Sequence, residues 1–267
     1  MKKIICLLFT LLLVACSANN QNQSSKLRVG MECNYAPFNW TQVEASDYAV
    51  AISSVDYCDG YDVQIARRIA DSLGRELEIV KTDWDGLIPA LNNNQLDLIV
   101  AGMTDTPERR ESVNFTTPYY ESDMVVVVRK DSELVNIKSI QDLSGYTVLG
   151  QSNTTYDEII DQINGVIHAT PLATYPRMIL SLQSKEVDAI TAELPVATTV
   201  VAANPDLAIV TFADEIGFDV DTSVSIAVKK ENSELLNDVQ KALDNISEQD
   251  RLNIMAEASV RQPAIEE

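Results

Sequence analysis

Histidine is almost missing from this chain: His168 is the only one in 267 residues. A metal centre or proton relay built on imidazoles has nothing to assemble from. Basic residues are scarce too, 20 Lys and Arg against 40 Asp and Glu, for a formal net charge of −20. Nucleic-acid binding needs clustered Lys and Arg, so that class of partner is excluded. Signatures of nucleotide chemistry are also absent. No Gly-x-Gly-x-x-Gly follows a strand pattern, and no phosphate loop ends in Gly-Lys-Ser/Thr. His-Glu-x-x-His and Gly-x-Ser-x-Gly do not occur, and Asp219-Val220-Asp221 lacks the downstream glycine and glutamate of a calcium loop. No metal and no cofactor is expected. His168, between Ile167 and Ala169, reads as a surface or packed imidazole. These gaps favour binding over catalysis, although lone carboxylates can catalyse. What remains is an ordinary globular composition, 46% hydrophobic and 22% charged.

The N-terminus reads as an export signal. Met1-Lys2-Lys3 is basic, and Ile4 to Val14 is apolar except for Thr10. That run is too short to span a bilayer, which takes roughly 20 residues. Leu13-Val14-Ala15-Cys16, followed by polar residues to Ser25, resembles the lipobox of bacterial lipoproteins. The resemblance implies a signal peptide over 1–15, diacylglycerol on Cys16 and a polar tether over 16–25. The membrane is then reached through the lipid anchor only. Ser17 after the lipid-bearing cysteine favours a Gram-positive surface over a periplasm. Cys6 leaves with the signal, so Cys33 and Cys58 remain, in a compartment where disulfides persist. They are a candidate bridge closing a loop of about 25 residues; the alternative is two separate thiols.

Beyond residue 26 strands and helices alternate. Leu27 to Met31, Glu76 to Val80 and Leu96 to Ala101 read as strands, and Tyr61 to Leu73 has helical apolar spacing stopped by Gly74. A helix starts over Gly86 to Leu91. A second series opens with the β-branched strand Met124 to Val128. Ser139 to Asp142 has capping-box form. Tyr146 to Leu149, Ala189 to Thr191 and Ser225 to Val228 read as strands; Asp157 to Ile163, Arg177 to Leu182, Pro195 to Ala203 and Ser233 to Ile246 read as helices. The expected class is α/β, in two lobes with parallel sheets. The stretches 119–123 and 220–224 lack helical pattern and fit as crossings between the lobes. A cleft between lobes is a favoured ligand site, and closure about a hinge is a recurring mechanism there.

Several ordered motifs then resemble the substrate-binding proteins of polar amino-acid ABC importers, from Leu27 to about Val260. They are Val29-Gly30-Met31-Glu32-Cys33-Asn34-Tyr35-Ala36-Pro37-Phe38, Gly60-Tyr61-Asp62-Val63, Asp85-Gly86-Leu87-Ile88-Pro89-Ala90-Leu91, Asp97-Leu98-Ile99-Val100-Ala101-Gly102-Met103-Thr104, Thr106-Pro107-Glu108-Arg109 and Phe115-Thr116-Thr117-Pro118-Tyr119-Tyr120. The resemblance implies the type II periplasmic-binding-protein fold with a two-strand hinge. The first lobe would take 26–118 plus 225–262, the hinge 119–123 and 220–224, and the second lobe 124–219.

It also implies roles. Arg109 would grip a ligand α-carboxylate with its planar fork. Thr104 would add an N–H and a hydroxyl, and Gly102 its carbonyl to the ammonium. Thr155, in Gln151-Ser152-Asn153-Thr154-Thr155, would complete the carboxylate site at a helix N-terminus. Asn153 stands where the family usually has glycine, and Asn tolerates left-handed backbone. Glu193, where the family commonly has Asp, would pair with the ammonium. Tyr35 and Trp84 would wall the ligand. Glu32 is an additional carboxylate that suits a cationic side chain, or an amide, and disfavours an acidic one. The expected protein is therefore a non-enzymatic, monomeric, membrane-anchored extracytoplasmic receptor. It would bind free arginine, lysine, ornithine, histidine or glutamine and deliver it to a permease. Rival readings are a dehydratase of the cyclohexadienyl type, which needs a cleft acid such as Glu32 or Glu193, and an amino-acid sensor domain. The stop at Glu267 without a second membrane segment disfavours the sensor.

Overall fold

A computed structural model describes residues 26–213 and 215–262. The signal segment, Cys16 and the tether lie outside the described residues. Among the described residues no helix is long and apolar enough to cross a membrane.

Strand β1 (Lys26–Met31) starts the first sheet and buries Leu27, Val29 and Met31. A small antiparallel sheet follows, from β2 (Asn34–Tyr35), β3 (Asn39–Gln42), β4 (Val50–Ala51) and β5 (Tyr57–Asp59), in the order β2-β3-β5-β4. Cys33 and Cys58 are disulfide-bonded with Cα atoms 5.7 Å apart, which ties β5 to the residue after Glu32. Gly60 then turns the chain at φ +138°, and a Cβ there would sit 2.2 Å from the Phe38 carbonyl oxygen. Helix α1 (Tyr61–Ser72) packs Val63, Ile65, Ala66 and Ile69 inward at helical spacing. Strand β6 (Glu76–Lys81), α2 (Leu87–Asn92), β7 (Leu98–Ile99), α3 (Pro107–Ser112) and β8 (Val113–Phe115) complete the first pass. The apolar run Leu96–Ala101 thus yields only a two-residue strand. Leu96, Val100 and Ala101 stay buried beside it, and Asp97 is half-buried against Arg28.

The chain crosses to a second sheet through β9 (Met124–Arg129), β10 (Thr147–Leu149), α4 (Thr155–Glu158) and β11 (Ile167–His168). It continues through α5 (Tyr175–Gln183), β12 (Ala189–Glu193), α6 (Leu194–Ala203) and β13 (Leu207–Val210). It then returns through β14 (Ala227–Lys229) to α7 (Ser233–Asp244) and α8 (Glu248–Arg261). The helix expected over Asp157–Ile163 begins two residues earlier, and a 3-10 turn over Ile159–Gln162 replaces its second half. Ser139 and Asp142 do form a capping box, on a 3-10 turn over Ile140–Leu143.

The sheets have one topology twice: β6-β1-β7-β14-β8 and β11-β10-β12-β9-β13. In each, four strands run parallel to one another, and one antiparallel strand arriving from the other lobe sits between the third and the last. The crossings pair at Val224, where Tyr119 N–H donates to the Val224 carbonyl (2.8 Å) and Val224 N–H to Tyr120 (2.9 Å). This short two-strand joint leaves the ends of β7 and β10 facing each other across the cleft.

Candidate functional site

The first wall of the cleft is built at the end of β7. Gly102 has φ +60°, and a Cβ there would press on the Tyr35 ring at 3.3 Å, so glycine is required both for the turn and for the close approach. Its N–H donates to the Tyr119 hydroxyl (3.0 Å), and that hydroxyl donates to Asp62 (2.7 Å). Asn39 donates to the same carboxylate (2.8 Å) and accepts from the Cys33 N–H (2.7 Å). Asp62 therefore ties together the two loops that carry Gly102 and Glu32. It is fully buried, and burial raises its carboxyl to about 7 against those hydrogen bonds.

Arg109 lies on α3, whose first turn is capped by Thr106 accepting from the Arg109 N–H (3.2 Å). Its guanidinium donates to the carbonyls of Thr104 (2.8 Å) and Asn153 (3.1 Å) and stacks 5.2 Å from the Trp84 ring centroid. Its acceptors are neutral carbonyls rather than a carboxylate, and burial lowers its pKa against the fields of Tyr156, Glu158 and Glu108. A carboxylate ligand would relieve both.

One cavity gathers seven of the residues singled out by sequence. Glu32, Tyr35, Trp84, Gly102, Thr104 and Arg109 line it from the first lobe, and Thr155 lines it from the second. Sequence reasoning gave no role to Gln151, Thr154 or Tyr156, which line the same space. Their signal was their position, directly around Thr155 at the end of β10. Gln151 donates to the Ala173 carbonyl (3.1 Å) and, at 3.4 and 3.5 Å, to Glu32 across the cleft. Glu32 is buried, and its desolvation outweighs the Gln151 contact and pushes its carboxyl up to about 7. Thr155 opens α4 after Asn153, which has φ +58°.

Glu193 stands apart. It ends β12 fully buried and does not line that cavity. Its carboxylate accepts from the hydroxyls of Tyr156, Ser122 (3.2 Å) and Tyr35 (3.3 Å). Burial raises it to about 7 against those donors. It is thus a buried acid behind the Tyr35 and Tyr156 rings, one aromatic layer from the cavity. His168 lies outside the site, between Asp161 (2.9 Å) and Asp157 (3.0 Å). Burial works against its charge, but the two carboxylates prevail and raise its pKa. No group of His, Cys, Asp and Glu among the described residues could hold a metal ion.

The chain is similar to known proteins in both sequence and fold. The family model for bacterial extracellular solute-binding proteins, family 3, matches residues 27–258. The ABC transporter arginine-binding protein 1 of Escherichia coli (strain K12) is 26% identical over 220 residues, 82% of this chain and 84% of that protein. The probable histidine-binding protein of Campylobacter jejuni is 32% identical over 206 residues, 74% of each. Among solved structures, an amino acid ABC transporter substrate-binding protein from Streptococcus pneumoniae bound to L-arginine aligns with a TM-score of 0.77. It is 28% identical, and the alignment covers 91% of this chain and 97% of that one.

Proposed function

This chain belongs to family 3 of the bacterial extracellular solute-binding proteins, and from that premise we propose that it is the receptor of an ABC importer for a basic L-amino acid. The observation that carries this reading is a cavity walled by one guanidinium, Arg109, and one carboxylate, Glu32, from the same lobe. Arg109 holds the ligand α-carboxylate, with Thr104 and the N–H groups at the start of α4. Glu32 and Gln151 meet the cationic side chain. Glu193 draws the ammonium when Tyr35 and Tyr156 turn aside. Gly102 and Trp84 shape the remaining wall.

The lobes are 26–118 with 225–262, and 124–219; the hinge is 119–123 and 220–224. The ligand contacts come from both lobes, so the ligand favours the closed state by differential affinity. No bond of the ligand is made or broken. The receptor acts as a monomer, tethered through lipid on Cys16 at the outer face of the cell membrane, and passes its ligand to a permease. Ser17 supports a Gram-positive surface.

A thermal-shift screen of the L-amino acids tests the ligand, since ligand stabilises only the native state. Arginine, lysine, ornithine or histidine should raise the melting temperature most. A response confined to acidic or aliphatic amino acids would overturn the assignment. Metabolic labelling with a fatty-acid probe tests the anchor: label should appear on the wild type and vanish in Cys16→Ala.

A further inference from the structure

Three short hydrogen bonds across the cleft converge on one residue outside the small cavity that holds Glu32. Asn153 accepts through its carbonyl from Trp84 Nε1 (3.0 Å) and Arg109 Nη2 (3.1 Å), and its side-chain Nδ2 donates to Asp85 Oδ1 (2.7 Å). Several other cross-cleft hydrogen bonds are longer: Tyr35 to Glu193 at 3.3 Å, Gln151 to Glu32 at 3.4 and 3.5 Å, and Thr199 to the Ala36 carbonyl at 3.4 Å. We propose that Asn153 and Asp85 form a clasp that sets how long the closed receptor holds its ligand.

Three features separate the clasp from the ligand contacts. The Asn153 and Asp85 side chains line the outer opening of the cleft, beside Trp84, Arg109 and Thr155, and not the small cavity that holds Glu32 and Gly102. Both lie exposed at the rim, on opposite lobes. The Asn153 backbone, at φ +58°, is where glycine would fit without strain, so the side chain is not needed for the turn. What asparagine adds over glycine is an amide that reaches Asp85. That bond exists only when the lobes are together, so its loss should speed opening and leave the encounter rate alone. A hydrogen bond to a charged acceptor is stronger than one between neutral groups, and exposure to water reduces that advantage.

The inference rests on the reading of the chain as a receptor that closes over an amino acid. The test is stopped-flow tryptophan fluorescence with L-arginine, for which Trp84 at the clasp is an internal reporter. Asn153→Gly keeps the turn and the carbonyl, and should release arginine about threefold faster with an unchanged association rate. Asn153→Asp places two carboxylates together and should release it faster still, by about tenfold. Combining Asn153→Asp with Asp85→Asn rebuilds the bond with donor and acceptor exchanged, and should bring release back to within about twofold of the wild type. A double variant that releases as fast as Asn153→Asp, or an Asn153→Asp protein that releases at the wild-type rate, overturns the clasp. Failure of the wild type to bind any basic amino acid would overturn the receptor reading instead. The clasp is then judged by small-angle scattering of the unliganded proteins. Asn153→Asp should have the larger radius of gyration, the exchanged pair should restore it, and three equal radii would count against it.

Discussion

The two lobes share a strand order but divide the chemistry unequally. The first lobe supplies the cavity's formal charges, Arg109 and Glu32, and fixes them from behind. Asp62 ties the loop of Glu32 to that of Gly102, and the Cys33–Cys58 bridge holds β5 beside Glu32. The second lobe supplies uncharged groups to the cavity, Gln151, Thr154, Thr155 and Tyr156, and holds Glu193 behind phenol rings. The first lobe is thus a preformed half-site, and the second is a cover that adds hydrogen bonds on arrival. The same sheet can do both because function sits in the loops at its strand ends.

The largest effect should follow from removing the charge of the first lobe. Arg109→Ala should cost about 2–5 kcal/mol of amino-acid binding by calorimetry, because it strips the ligand carboxylate of its charged partner. Thr155→Ala keeps its backbone N–H and should cost about 1 kcal/mol. Equal losses would erase the division between half-site and cover.

Stability should be divided in the same way. Replacing Cys33 and Cys58 by serine should cost about 3 kcal/mol, since the bridge closes a loop of about 25 residues. For a protein of this size that lowers the melting temperature by about 6–12 °C. Affinity should fall too, because the bridge braces the Glu32 loop. Unchanged affinity at lowered stability would make the bridge a staple of the small sheet alone.

The next effect is a dependence on pH. Glu32, held up to about 7 by burial, must lose its proton to meet a cationic side chain. Arginine affinity should therefore fall about tenfold from pH 8 to pH 6, and glutamine affinity should fall less. Glu32→Gln should remove the difference. An equal fall for both ligands would assign the titration to Glu193, in the second lobe. Folding runs the other way. Glu32, Asp62 and Glu193 bind protons when folded that the unfolded chain has shed. Their stabilisation is full below the ordinary carboxylate range and is lost as pH rises through about 7. The ligand-free protein should therefore melt higher at pH 5 than at pH 8.

Sequence and structure agree most closely where a local rule acts. The β-branched run at Val125–Val128, the helical spacing after Tyr61 and the capping box at Ser139 each specify an element directly. Helix α8 is not legible in the sequence, because only Ile254, Met255 and Ala258 are buried in its 14 residues, too thin a stripe to register as periodic. The small sheet after β1 leaves no periodic signal, because its strands are two to four residues long. Within the site, the motif residues at strand ends could be located, whereas Tyr156 and Gln151 owe their importance to a neighbour on the other lobe. Glu193 ends β12, and its screen of hydroxyls is tertiary, so no spacing encodes it.

The smallest expected effect separates the lobes most cleanly, because it compares like with like. Thr106 caps α3 in the first lobe, and Ser139 caps the turn over Ile140–Leu143 in the second. Either residue changed to alanine should cost about 1 kcal/mol of stability, or about 2–4 °C in melting temperature. Only Thr106 bears on the ligand, since the N–H it accepts from is that of Arg109 and α3 sets the direction of the guanidinium. Thr106→Ala should therefore weaken arginine binding by about threefold. Ser139→Ala should leave binding unchanged, because its cap contacts neither the cavity nor the clasp. If both variants weakened binding alike, stability rather than the aim of Arg109 would be the common cause, and the first lobe would lose its claim to be a preformed half-site.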